Sequence, residues 1–264
     1  HTTDDQRAPS GTPAPIVYLQ DDAWGGVSTD HLKVWSATIN WGNPGSSSMS
    51  SPQIINTTPF ISVFDGGSFA NLDQPGGGPD VDAMQATIMN QAQYRRFPNH
   101  NSAIFNFVVD VVSSNGDGLN EKAGIRWYEL RQDNDGDDWE IFQEGTYTSP
   151  TGNKHAWAGS MAMNADGDIG LGYSSMSNTE RIALQYTGRR ASDPLNIMTA
   201  GENLIVQSTT NNSNTRYADY AHLTNDLTDG SFWHVSEYFL GSRRNMVAQF
   251  LIEPAGANDI GVIN

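Results

Sequence analysis

The chain has 264 residues, with 14 Lys and Arg against 30 Asp and Glu for a formal net charge of −16, and so large an acidic excess excludes nucleic acid held through its phosphates. Hydrophobic residues make up 37%, with seven Trp, nine Tyr and ten Phe, which fills a real core and excludes a disordered chain. The absence of cysteine removes disulfides, thiolate nucleophiles, iron–sulfur clusters and Cys-type zinc sites together, and no apolar run nears the ~20 residues of a membrane-spanning helix.

In chain order, residues 1–15 contain three Pro and no apolar periodicity, so they read as a linker or tail. From Ile16 onward short β-rich runs recur between Gly, Asn, Asp and Pro, at 16–19, 31–41, 54–56, 60–64, 103–112, 124–131, 139–147, 160–164, 169–174, 181–186, 232–239 and 246–252. Segment 81–93 fits a helix or a strand about equally, and the composition otherwise favours strands and turns, so the class is all-β.

Self-comparison adds the architecture. The stretches 157–173 and 219–235 align on Asp166-Gly167 and Asp229-Gly230, 63 residues apart, and each is a strand, an Asp-Gly turn and a second strand. A third strand follows each copy, at 181–186 and 245–250, and a less exact copy starts at His100, 55 residues before His155. Units of this size, each a meander of three or four strands, predict β-propeller blades.

Three motifs also look familiar: Leu19-Gln-Asp-Asp-Ala-Trp-Gly-Gly26; His155-Ala-Trp-Ala-Gly-Ser160 leading into Asp166-Gly-Asp-Ile-Gly-Leu-Gly-Tyr-Ser174; and Thr215-Arg-Tyr-Ala-Asp-Tyr220 leading into Phe232-Trp-His-Val-Ser-Glu-Tyr238. They resemble secreted and cell-surface sialidase-like β-propeller proteins of Bacteroidetes-type bacteria, mostly without an assigned activity. The resemblance covers residues 16–255 and implies a fold of four-stranded antiparallel blades and an extracellular location. The scarcity of lysine and the excess of acid and Asn suit that location. Propellers usually close with six to eight blades, whereas this length supplies about four and a half at ~60 residues each. Residues 16–253 are therefore expected to form part of a propeller whose remaining blades come from an upstream segment or a second chain. Residues 254–264 read as a linker into an immunoglobulin-like module.

Several constellations bear on chemistry. Asp133, Asp135, Asp137 and Asp138, with Glu144 further on, have the oxygen-ligand spacing of a Ca²⁺ loop, although Asp138 stands where an EF-hand needs Gly. The ordinary reading of that run is a solvated acidic turn, as it is for the turns at 115–118 and 164–168. His155 and Trp157 open one unit and Arg216, Tyr217, Asp219 and Tyr220 another, where a blade's innermost strand begins. An Arg for an acid group, aromatic faces for sugar rings and an Asp for hydroxyls would make a glycan site there. The competing reading pairs Arg216 with Asp219 and packs the aromatics between blades.

Catalysis would draw on Glu129, Glu237, Asp219, Tyr217, Arg126 and Arg216. The Ser-x-Asp-x-Gly-x-Thr-Trp boxes of sialidase blades are absent, as are a Gly-x-Ser-x-Gly elbow and phosphate-binding loops. A copper brace at His1 needs an ordered first strand, which the following residues do not suggest, and His31, His100, His155, His222 and His234 show no ligand spacing. The expectation is a non-catalytic extracellular module binding a glycan or a surface protein, without nucleic acid or membrane insertion. The alternatives are a polysaccharide-degrading hydrolase or lyase acting at the propeller channel, and a rigid adhesin spacer with Ca²⁺-stabilised turns.

Overall fold

In the computed structural model residues 8–90, 92–112 and 121–252 are described. Alternating and continuous apolar runs there form fifteen strands in four sheets, with two short 3-10 turns as the only helical structure among the described residues. Sheet I consists of β1 (Ala14–Gln20), β2 (His31–Thr38), β3 (Ser48–Met49) and β4 (Gln53–Asn56), with β2 pairing all three others. Sheet II is the meander β5 (Gln93–Arg96), β6 (Asn101–Asp110), β7 (Ala123–Gln132) and β8 (Glu140–Tyr147). Sheet III runs β9 (His155–Met163), β10 (Ile169–Met176), β11 (Ala183–Arg189) and β12 (Asn203–Gln207), and sheet IV β13 (His222–Asn225), β14 (Phe232–Leu240) and β15 (Ser242–Phe250). Every pairing is antiparallel. Gly167 and Gly230, at φ 85° and 73°, supply the left-handed residue of the turns after β9 and β13.

The sheets stack in chain order, which is why β6, β9 and β10 are buried along their whole length or nearly so. Leu19 and Leu32 of sheet I meet Phe105, Phe107 and Tyr128 of sheet II, with Phe60 edge-on to Phe107. Ile104, Ile125 and Trp127 pack on Met161, Leu171 and Tyr173 of sheet III. Ala162 and Tyr186 then pack on Leu223, Phe232 and Phe250 of sheet IV, Tyr186 stacking on Phe250 at 4.0 Å.

Strands β9 and β13 lie side by side and run in the same direction. Trp157 sits 5.5 Å from Tyr217, Leu223 N–H donates to Ser160 Oγ at 2.8 Å, and Asn164 Nδ2 reaches the Gly230 carbonyl. Close approach of sheets III and IV depends on missing side chains. A Cβ on Gly172 would lie 2.5 Å from Cγ of the His234 ring, and one on Gly170 2.8 Å from Phe232. Gly172→Ala is therefore expected to destabilise by about 1–3 kcal/mol in urea unfolding, whereas Gly201→Ala, with nothing within 4 Å, leaves the midpoint in place.

Several expectations need correction. Segment 60–64 is extended but joins no sheet, because much of its hydrogen bonding is to aspartates: Phe60 N–H donates to Asp30, and Ser62 N–H and Oγ–H to Asp21. Segment 81–93 is not a helix, since Met84 and Ala86 sit at φ 59° and 58°. The unit placed at His100 begins earlier, at β5, and the short strands β3, β5 and β12 lie outside the predicted runs, whereas β13 is the strand expected before the Asp229-Gly230 turn. The first strand starts at Ala14 and Thr12 already donates to Asp135, so the N-terminal tail is shorter than 1–15. His1, the 115–118 turn and the 254–264 linker lie outside the described residues.

Candidate functional site

The loop before β13 is built by short side chains bonding to their own backbone. Asn212 Oδ1 accepts from Asn214 N–H, Asn214 Oδ1 accepts from Arg216 N–H, and Asn212 Nδ2 donates to the Arg216 carbonyl. Ala218 then takes φ 57°, a left-handed conformation that disfavours a side chain. Tertiary contacts hold it there: its N–H donates to Glu237 Oε1, and its carbonyl accepts from Ala221 N–H at 3.1 Å. Beneath, Tyr217 is fully buried between Trp157 and Phe239, its hydroxyl donating to the Glu237 carbonyl at 2.9 Å. Burial pushes that phenol well above its ordinary range.

The turn of the chain at Ala218 opens a pocket of about 530 Å³. Arg216, Asp219 and Tyr220 line it from the loop, Val235 and Glu237 from β14, and Arg243 and Asn245 from β15. Arg216 pairs with Asp219. Arg243 Nε meets Glu237 Oε2 at 2.9 Å, and Arg243 Nη2 donates to the Arg216 carbonyl at 2.8 Å. The Tyr220 ring, 88% exposed, stands beside these polar groups.

Of the residues singled out for ligand binding, Arg216, Asp219 and Tyr220 come together at this rim. Tyr217 lies in the pocket wall but is fully buried, and Trp157 beneath it does not line the pocket; packed against each other, they support the loop instead of facing a ligand. His155 lies in a separate hollow lined by Asp73, Asn153 and Asn178. Arg243 and Asn245 are additions from the structure. Nothing in the sequence places the start of β15 opposite the 216–221 loop, and only the β14–β15 register, with Glu237 opposite Asn245, brings them in.

The candidate catalytic residues divide between distant places. Glu129 is buried in sheet II, accepting from Ser102 Oγ, Gln143 Nε2 and Arg131 Nε, and Arg126 there pairs with Glu144 at 3.0 Å. At the pocket, Glu237 gives one oxygen to the Ala218 amide and the other to Arg243, while Asp219 is tied to Arg216. Both acids therefore hold protein groups in place.

In the acidic 133–138 loop, Asp135 binds Arg96 at 2.6 Å and accepts from Asn101 and Thr12, and Asp137 accepts from Asn134, which leaves Asp133 and Asp138 for any cation. The three carboxylates that do converge among the described residues are Asp21, Asp22 and Asp30. Asp21 and Asp30 already accept from the amides of Ala23, Ser62, Asp22 and Phe60. Burial raises the Asp30 carboxyl above its ordinary value.

Compared with protein-family models, curated proteins and solved structures, the chain matches none.

Proposed function

We propose that the four sheets are successive blades of an incomplete β-propeller in an extracellular protein, and that the pocket at Arg216–Tyr220 binds a glycan without transforming it. Support for the blades is the order of the stack: each sheet is an antiparallel meander packed face to face on the next in the chain. Support for further blades, from an upstream segment or a second chain, is that the end face of sheet I stays open, with Ile16, Tyr18 and Ile54 exposed on it.

The observation that carries the glycan reading is Tyr220. An almost fully exposed aromatic ring on a loop fixed by the Asn212, Asn214 and Glu237 hydrogen bonds offers its face to a sugar at little ordering cost. Arg216, Asp219, Arg243 and Asn245 around it supply donors and acceptors for ring hydroxyls. The commitment of both acids to protein partners favours binding over hydrolysis.

Screening against neutral, uronic and sulfated polysaccharides should return a binder. Tyr220→Ala should weaken that binder about tenfold or more, roughly 1.4 kcal/mol, with an unchanged melting temperature because the ring buries little. Release of sugar products, or binding indifferent to Tyr220, would refute the proposal.

A further inference from the structure

We infer that the hollow at His155 is a second sugar subsite, so that the ligand is a chain of sugar units laid across two neighbouring sheets; this rests on the reading of the Tyr220 pocket as a sugar site. Each cavity lies at the start of the first strand of its sheet, β9 in one case and β13 in the other. Strands β9 and β13 run together, Trp157 beside Tyr217 and Ser160 beside Leu223. The residues at and just before their starts, Asn153 and His155 in one and Arg216–Ala221 in the other, therefore open on one edge of the stack. Ser177 and Asn178, just beyond β10, and Val112, Glu121 and Lys122, at the ends of β6 and β7, wall the His155 hollow, whereas Val235–Glu237 within β14 wall its neighbour.

A single hydrogen-bonded segment joins the two. Asp73 lines the His155 hollow, and the next residue, Gln74, exchanges two hydrogen bonds with the backbone of Asn212, at 2.7 and 2.8 Å. Further on, Asp82 N–H donates to the carbonyl of Thr215, the residue before Arg216. The spacing between the hollows is thus fixed, which suits a ligand with a repeating unit.

The chemistry of the second hollow points to an uncharged, hydroxyl-rich unit. Ala123 N–H donates to His155 Nδ1 at 3.2 Å, so the ring hydrogen sits on Nε2 and that nitrogen is a donor. Burial keeps the ring neutral, its pKa lowered to about 4. Asn153 and Asn178 are exposed amides that both donate and accept, and Asp73 accepts. Asp73 and Glu121 outnumber Lys122 on the rim, which opposes an acidic sugar. The hollow, about 380 Å³, is smaller than its neighbour.

The test is calorimetric titration of the whole chain with cello-, xylo-, manno- and laminari-oligosaccharides, from the disaccharide upward. At least one series should bind, with affinity rising about tenfold or more as the chain outgrows the Tyr220 pocket. Asn178→Ala and His155→Gln should return long oligosaccharides to the affinity of short ones and leave short ones unchanged. Tyr220→Ala should weaken both. Asn178 is exposed, so its variant keeps the test alive if His155→Gln melts early. An affinity that stays flat with length, or long chains indifferent to Asn178→Ala, overturns the second subsite and leaves the first standing. If no member of any series binds, the second subsite falls, and the Tyr220 pocket is decided by the uronic and sulfated polysaccharides of the screen.

Discussion

Stability is expected to fall as the pH drops from about 6.5 to about 4, chiefly on account of two imidazoles, with burial lowering His100 and His222 in the same direction. Burial lowers His234 from its ordinary value of 6.5 to about 4, and His155 likewise to about 4. Below 6.5 the unfolded chain takes up a proton at each ring, whereas the folded chain does not until about 4. The stabilisation is therefore complete above 6.5 and is lost progressively across that window. For His234, fully enclosed against Gly172, the loss is on the order of 3 kcal/mol; half-buried His155 contributes less.

The window is separable from acid unfolding by carboxylates. Burial works against the ionised form of Glu202, but hydrogen bonds from Lys154, Ser149 and Tyr173 outweigh it and hold the carboxyl below its ordinary value of 4.5. Its contribution is thus lost only at lower pH. Urea titrations at pH 7.5, 6, 5 and 4.5 should show the slope, and His234→Leu should remove most of it while lowering stability at pH 7.5 by a smaller amount. A stability that is level between pH 7.5 and 5 would contradict the assignment.

The second large effect is at Trp157. The indole is fully buried, packs on Tyr217, and belongs to the cluster that ties Phe64, Leu72 and Val81 to Ala218 and Phe239. Trp157→Ala should cost about 3–5 kcal/mol, a large share of the 5–15 kcal/mol that typically holds a domain together. The cavity lies under the 216–221 loop, so glycan affinity should fall with stability, even at temperatures where the variant stays folded. Trp157→Phe keeps a ring and discards an indole N–H with no partner among the described residues, so it should cost much less. Equal losses for Ala and Phe would show that the indole nitrogen, not the packing, carries the effect.

The strand–turn–strand repeat was legible because its signals are local. Asp166-Gly167 and Asp229-Gly230 carry the turn chemistry, and long runs such as β6 and β14 carry their own periodicity. Strands β5 and β12 were not legible, since four or five residues such as Gln93–Arg96 or Asn203–Gln207 hold too little pattern and become strands through neighbours already in place. Segment 81–93 misled for a related reason: its Met and Ala residues have high helix propensity, but Met84 and Ala86 are left-handed, their amides donating to the Asp82 carboxylate and the Ser62 carbonyl instead of to a helical turn.

At the pocket, the Arg-Tyr-x-Asp-Tyr motif could not say which of its residues face solvent. The pairing and packing reading holds for Arg216, Asp219 and Tyr217, while Tyr220 stands open. The offset explains the difference. Trp157 and Tyr217 are 60 residues apart and Ser160 and Leu223 are 63 apart, so the second copy carries three extra residues there, and these are Asp219, Tyr220 and Ala221.

The left-handed alanine at 218 gives this pocket an owner other than its own segment. Alanine has no intrinsic preference for that conformation, and what enforces it arrives from other strands, from Glu237 of β14 and from Trp157 of β9, which packs on Tyr217. The concavity is therefore not portable. Grafted onto a foreign scaffold, Asn212–Ala221 would carry its letters but not its shape, and engineering this specificity elsewhere would mean transplanting two adjoining sheets whole.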